Sequence, residues 1–304
     1  MKVLVTGVAG QLGYDVIAQL LAQGLEAIGT DILPTVALPS QVAYFPMDIT
    51  NRSSVSKAIS EVQADAVIHC AAWTAVDAAE DKENQDKVFA VNEQGTKNIA
   101  QACKDTNTKM MYISTDYVFD GRGDIPWQPD CKNYKPLNIY GQSKLAGEQA
   151  VSSLLNNFFI VRIAWVFGLH GNNFIKTMLK IAQTHDTIRV VNDQVGTPTY
   201  TKDLAKLLVQ MIQTDKYGYY HATNEGGYIS WYDFACEIFR HAGLATKVIP
   251  VTTAEYGQSK ARRPFNSRLD KLKLVQNGFT LLPTWQDALK RYLEEIKYGT
   301  NYRS

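Results

Sequence analysis

The sequence predicts an α/β fold, a Rossmann-type doubly wound parallel sheet with a smaller, interleaved C-terminal substrate domain. Three observations predict it. Short β-branched runs alternate with helical patterns through the first two-thirds of the chain, a glycine-rich turn joins the first run to the first helical pattern, and the alternation loosens after Gly168.

In chain order, strands are expected at Lys2–Thr6, Glu26–Asp31, Val42–Met47, Ala66–Cys70, Lys109–Ser114 and Phe159–Ile163. Helices are expected at Gly10–Gln23, Val55–Val62, Asn84–Lys104, Lys135–Ser153 and Asn173–Thr184. The strand runs are nearly continuous in apolar residues, which requires a sheet covered on both faces and hence parallel pairing through crossovers. Beyond Gly168 the reading is a strand at Thr187–Val191, a turn near Pro198, a helix at Lys202–Gln213, a strand at Tyr217–Ala222 and a mostly helical tail. Residues 1–168, rejoined by 194–222, form the expected dinucleotide-binding domain, and 169–193 with 223–304 the substrate-binding domain. No Pro/Gly/Ser-rich linker parts the two, so the crevice between them is the expected substrate site.

Composition narrows the function classes. With 304 residues and 45% hydrophobic content the chain can bury a substantial core. Its 31 basic and 30 acidic side chains nearly cancel, so no global field exists to hold a nucleic acid or an anionic membrane. No apolar run approaches the roughly 20 residues that span a bilayer. The run after Met1-Lys2 is interrupted at Thr6-Gly7, too early for a signal peptide. Cys70, Cys103, Cys131 and Cys236 are scattered and lack metal or disulfide spacing. A cytoplasmic protein with reduced thiols is expected. The glycosylation acceptor Asn51-Arg52-Ser53 and the adhesion tripeptide Arg122-Gly123-Asp124 both need an extracellular setting and are discounted.

Thr6-Gly7-Val8-Ala9-Gly10-Gln11-Leu12-Gly13 follows the first strand and opens the first helix. Gly7, Gly10 and Gly13 permit a tight turn and close backbone approach to a pyrophosphate, which meets free N–H groups at Gln11 and Leu12 and the positive end of the helix dipole. Asp31 ends the second strand at about the ~20-residue distance expected of a ribose-binding carboxylate. It should accept from the 2′-hydroxyl and repel a 2′-phosphate, a lean towards NADH over NADPH. Asp48 and Ile49 would flank the adenine, or else belong to a helix N-cap. Ala71-Ala72 lies at the carboxyl edge of the sheet, where small side chains let backbone approach the cofactor.

Tyr140-Gly141-Gln142-Ser143-Lys144 puts a phenol and an ammonium one helical turn apart. A lysine cation and an oxidised nicotinamide favour the phenolate, so such a tyrosine can give its proton to a carbonyl that receives hydride. The spacing alone decides little, because Tyr256-Gly257-Gln258-Ser259-Lys260 repeats the pentapeptide. Context selects Tyr140: it follows the strand ending Ser114-Thr115-Asp116, whereas Tyr256 lies in the tail and reads as surface or packing. Thr115 can polarise a substrate carbonyl. Ser114 is its rival, and alternation along a strand lets one of the two face the cleft. Asn92 could hold an active-site water or the helix backbone.

These residues resemble a known family. Ser114-Thr115-Asp116-Tyr117-Val118-Phe119, Tyr140-x-x-x-Lys144, Ala71-Ala72-Trp73-Thr74-Ala75-Val76-Asp77, Asn192-Asp193-Gln194-Val195-Gly196-Thr197-Pro198-Thr199 and Arg262-Arg263-Pro264-x-x-Ser267 look like the dTDP-4-dehydrorhamnose reductases, extended short-chain dehydrogenases. The likeness covers nearly the whole chain. It implies reduction of the C4 ketone of dTDP-4-dehydro-L-rhamnose by NADPH or NADH, with Thr115, Tyr140 and Lys144 as the catalytic trio. It implies Thr74 at the cofactor, and Asp116, Tyr117 and Trp165 at the sugar, although Trp165 at a strand end also fits plain core. Arg262-Arg263 would meet the diphosphate or form a solvated turn. Some members of the family are homodimers bridged by magnesium, and the sequence places no ligands for such an ion here. Two rivals stand beside this reading: a nucleotide-sugar epimerase or dehydratase on the same scaffold, and a catalytically silent NADP-binding regulatory subunit of methionine adenosyltransferase.

Overall fold

The structure is a computed structural model that describes residues 1–301; the last three residues of the expected substrate-binding domain lie outside it. Six strands, β1 (Lys2–Thr6), β2 (Glu26–Asp31), β3 (Ala43–Pro46), β4 (Ala66–His69), β5 (Lys109–Thr115) and β6 (Phe158–Ile163), pair in parallel. The strand Gly218–His221 joins beyond β6. The spatial order is therefore 3-2-1-4-5-6 plus a seventh strand, the doubly wound arrangement expected.

Alternate side chains along each strand enter opposite cores, as a two-residue period demands. Val3, Val5, Ile68, Met111 and Val161 face α1 (Gln11–Ala22) and a later helix at Thr201–Ile212. Leu4, Val67, Met110, Tyr112 and Ile160 face α2 (Arg52–Val62), the helical stretch before β5 and α5 (Ile139–Leu154). That stretch departs from the single helix expected. It is α3 (Lys82–Phe89), a π-helical segment Ala90–Gly95, and α4 (Thr96–Asp105). The widened turn has a tertiary cause: the Asn92 side chain is drawn into backbone bonds with Trp73, and Thr96 Oγ1 donates to the Asn92 carbonyl. Helix α5 starts four residues later than expected, since Pro136 disfavours helix before it and Asn138 caps the turn by accepting from Gly141 N–H at 2.7 Å.

A third core holds the smaller lobe. Ile175, Met178, Ile188, Val190, Phe234, Ile238, Trp285 and Leu289 pack there, from helices Phe174–Ile181, Trp231–Ala242 and Trp285–Asn301 and the strand Thr187–Val191. The tail is less helical than expected. Lys247–Val251 pairs in parallel with Thr187–Val191, and Leu274, Phe279 and Leu282 return to the core of the large sheet.

Candidate active site

The carboxyl ends of β1, β4 and β5 lie where the sheet order reverses, with Gly7, Ala71 and Thr115 at or just beyond those ends. Gly7 takes φ +72°, and a Cβ on it would lie 2.6 Å from the Ala71 nitrogen, so the glycine turn and the Ala71-Ala72 turn touch through backbone. The Ala71 amide also donates to Thr6 Oγ1 at 3.2 Å. Helix α1 begins after Gly10 with no side-chain cap and no acid in its first turn, leaving N–H groups at Gln11 and Leu12 towards the mouth. That is the donor set a pyrophosphate needs, so the residues fit a dinucleotide. Asp31 closes the same turn, with Oδ2 accepting from Ala9 N–H at 3.0 Å.

The adenine-side residues are differently engaged. Asp48 Oδ1 accepts from both the amide and the hydroxyl of Thr50, while Asn51 is the true cap of α2. Ile49 is buried in the core behind β2. Thr74 is exposed on a loop whose backbone Asn92 holds through Trp73.

At the end of β5, alternation separates the two hydroxyls. Ser114 turns inwards and donates to Glu148 Oε1 at 2.5 Å. Thr115 turns to the opposite face, towards Tyr140, accepts from Tyr117 N–H at 3.2 Å and donates to Asp116 Oδ1 at 3.1 Å. Helix α5 lies close against this turn, because a Cβ on Gly141 would come within 2.4 Å of the Tyr117 carbonyl oxygen. The Tyr117 and Tyr140 rings accordingly meet edge to face at 5.6 Å. Burial pushes the Tyr140 phenol above its ordinary value, a hydrogen bond with Thr115 opposes that, and Asp116 adds to it. Burial drives Lys144 down to about 7, with Glu148 acting against the fall. The Lys144 ammonium donates to the Ile113 carbonyl at 2.7 Å and sits 4.1 Å above the Tyr112 ring.

Asp116 is buried, bonded to Ser267 Oγ, and raised to about 6 chiefly by desolvation. Ser267 leads to Trp165, since Gly196 lies between them within 3.0 Å of both at the position of a virtual Cβ. Trp165 adopts φ +52° and stacks on Trp231 at 3.7 Å, so one indole face is already covered. Arg262 is exposed, and its neighbour Arg263 is committed to Asp77 by contacts of 3.1 and 2.8 Å. The second pentapeptide is no helix: Tyr256 ends a short helix, Gly257 takes the left-handed conformation, and Lys260 pairs with Asp81 at 2.7 Å. Among the described residues no group of three or more His, Cys, Asp or Glu side chains converges as a metal site.

The family model of the RmlD substrate binding domain matches residues 1–298. The chain belongs to that family. A dTDP-4-dehydrorhamnose reductase of Aggregatibacter actinomycetemcomitans is 38% identical, with 95% of this chain and 97% of that protein covered. Among solved structures of the same name, the Clostridium acetobutylicum protein superposes with a TM-score of 0.89 at 41% identity, covering 98% of this chain and all of that one. The Bacillus anthracis protein, solved in complex with NADP, gives 0.88 at 39% identity, covering 97% of this chain and all of that one.

Three side chains given no role by the sequence motifs hold residues of the site in this RmlD-family chain. They are Glu148, Ser267 and Asp77, which act on Ser114, Asp116 and Arg263. The partners of Ser267 and Asp77 lie more than 150 residues away, where no local pattern signals them. Glu148 was within reach, one turn beyond Lys144 on the inner face of a helix where a carboxylate needs a partner.

Proposed function

We propose that this protein reduces the C4 ketone of dTDP-4-dehydro-L-rhamnose to the alcohol with a nicotinamide cofactor. The reading rests on Thr115 hydrogen-bonded to Tyr140, with Lys144 one turn further along α5, in a chain whose residues 1–298 match the RmlD family and whose first helix has an uncapped N-terminus. When bound, the reduced nicotinamide supplies the hydride to C4. Tyr140 gives its phenolic proton to the ketone oxygen, and Thr115 donates a hydrogen bond to the same oxygen as charge develops there. The half-buried phenol is pushed above its ordinary value and is protonated, as a donor must be. Lys144 stabilises the phenolate left behind until solvent returns the proton.

The sugar is gripped by Asp116, Tyr117 and the free edge of Trp165 at the border with the smaller lobe. Asp31, facing the glycine turn, favours NADH over NADPH, whereas the Bacillus anthracis relative was solved in complex with NADP. A cytoplasmic location suits a chain in which, among the described residues, no helix is long and apolar enough to cross a membrane. The test is cofactor oxidation on addition of the ketosugar, followed separately with NADH and NADPH. Catalytic, stoichiometric oxidation supports the assignment, and cofactor binding without turnover defeats it.

A further inference from the structure

Beneath Tyr140 and Lys144 lies an ion pair sealed from solvent. Glu148 and Arg162 have side chains 1% and 0% exposed and are joined by two bonds, Nε to Oε1 at 2.8 Å and Nη2 to Oε2 at 2.7 Å. Replacing such a pair with apolar residues is often neutral or stabilising, so stability alone is a weak account of it. Its connections reach the catalytic side chains from two directions. Glu148 stands one turn after Lys144 on α5 and accepts from Ser114, the residue before Thr115. Arg162 reaches the Pro129 carbonyl at 3.0 Å and the Tyr134 hydroxyl at 2.9 Å, in the loop that leads into α5.

We propose that Glu148 is a positioning residue for ketone reduction: its carboxylate, paired with Arg162, fixes the end of β5 against α5 through Ser114 and sets the charge one helical turn from Lys144. This rests on the reading of Lys144 and Tyr140 given above. The groups facing Lys144 from the packed elements are His69 and Cys70 at the end of β4, Tyr112 on β5, and Tyr140 and Glu148 on α5. Burial holds His69 down at about 3 and pushes Cys70 up to about 12, so both are neutral near pH 7. Burial likewise keeps Tyr112 and Tyr140 protonated. Glu148, paired with Arg162 at 2.7 Å, is the acidic side chain that remains. The same carboxylate, tied to Ser114, sets where Thr115 stands opposite Tyr140.

Three variants test the proposal in the full chain: Glu148→Gln, the paired Glu148→Gln/Arg162→Met, which leaves no unpaired buried charge, and Ser114→Ala, which keeps the ion pair. The readouts are the pH profile of kcat/KM and the titration of the Lys144 side-chain nitrogen by NMR. In both Gln variants the Lys144 midpoint and the alkaline limb should move to lower pH by about one unit or more. Ser114→Ala should lower kcat about tenfold with the limb unmoved. A folded paired variant with an unshifted Lys144 midpoint would overturn the electrostatic role. Wild-type kcat in Ser114→Ala would overturn the positional one, even if both Gln variants fail to fold. Full turnover by Lys144→Met would instead defeat the catalytic reading, while the NMR titration still judges Glu148.

Discussion

Single side chains carry the sharpest expectations. Tyr140→Phe removes the proton donor but not the ring, so turnover should fall by about 10²–10⁴-fold while cofactor affinity, measured by fluorescence titration, stays near wild type. Tyr256→Phe, at a partly exposed helix end, should change neither. Lys144 is held down to about 7, so as pH rises through that value the ammonium is lost and kcat/KM at low cofactor should decline. A profile flat from pH 6 to 9 would contradict that ionisation. Asp31→Ala should raise the NADPH-to-NADH ratio of kcat/KM, because the carboxylate that opposes a 2′-phosphate is gone; an unchanged ratio would remove Asp31 from cofactor choice. Much at this scale was legible from residue type and spacing. The direction of Lys144 was not: the spacing put it beside Tyr140, whereas its ammonium is spent on the Ile113 carbonyl and the Tyr112 ring, which depends on how deeply α5 sinks into the sheet.

At the level of elements, the buried Asp15 on α1 shows how a helix can carry a cost unrelated to the site. One of its carboxylate oxygens has no hydrogen-bond partner, and desolvation raises the group to about 6. A carboxyl raised above its unfolded value binds its proton more tightly in the native state between about pH 4 and 6. Its contribution to stability is therefore present in acid and lost as pH rises through 6. Asp15→Asn should raise stability by roughly 2 kcal/mol at pH 7.5 and have little effect at pH 4, read by denaturant unfolding at both. Strands β1 to β6 were legible because apolar runs in a doubly covered sheet leave a strong pattern. The break within Asn84–Lys104 was not, because the π-helical turn is set by Asn92 bonding to a loop 19 residues earlier in sequence, a tertiary cause acting on a helical pattern.

Across the whole molecule, the segment from Ser259 to Ser267 ties the tail to both edges of the crevice. Asp77 accepts from Ser259 Oγ, Ala261 N–H and Arg263, Asn138 donates to the Arg262 carbonyl, and Ser267 holds Asp116. Asp77→Asn should loosen this strap and raise KM for the ketosugar several-fold with kcat for bound substrate less affected; an unchanged KM would mean the strap does not shape the sugar site. Nothing local in the sequence joined positions 77 and 263, so the closure of the crevice was visible only in three dimensions. The loss of strand and helix alternation after Gly168 is the sequence feature from which two domains are expected.

Reduction of a nucleotide-linked ketosugar with Tyr140 as the acid would consume one reduced nicotinamide per sugar and would stop without the phenol. The most direct measurement mixes purified protein with dTDP-4-dehydro-L-rhamnose and reduced nicotinamide cofactor and follows the nicotinamide absorbance, with the Tyr140→Phe protein alongside. One cofactor oxidised per sugar reduced by wild type, and almost none by the variant, is the predicted result. Equal rates from the two proteins would remove Tyr140 as the acid, and no net oxidation while cofactor is demonstrably bound would contradict ketone reduction and favour a hydride-returning epimerase or a binding protein on the same scaffold.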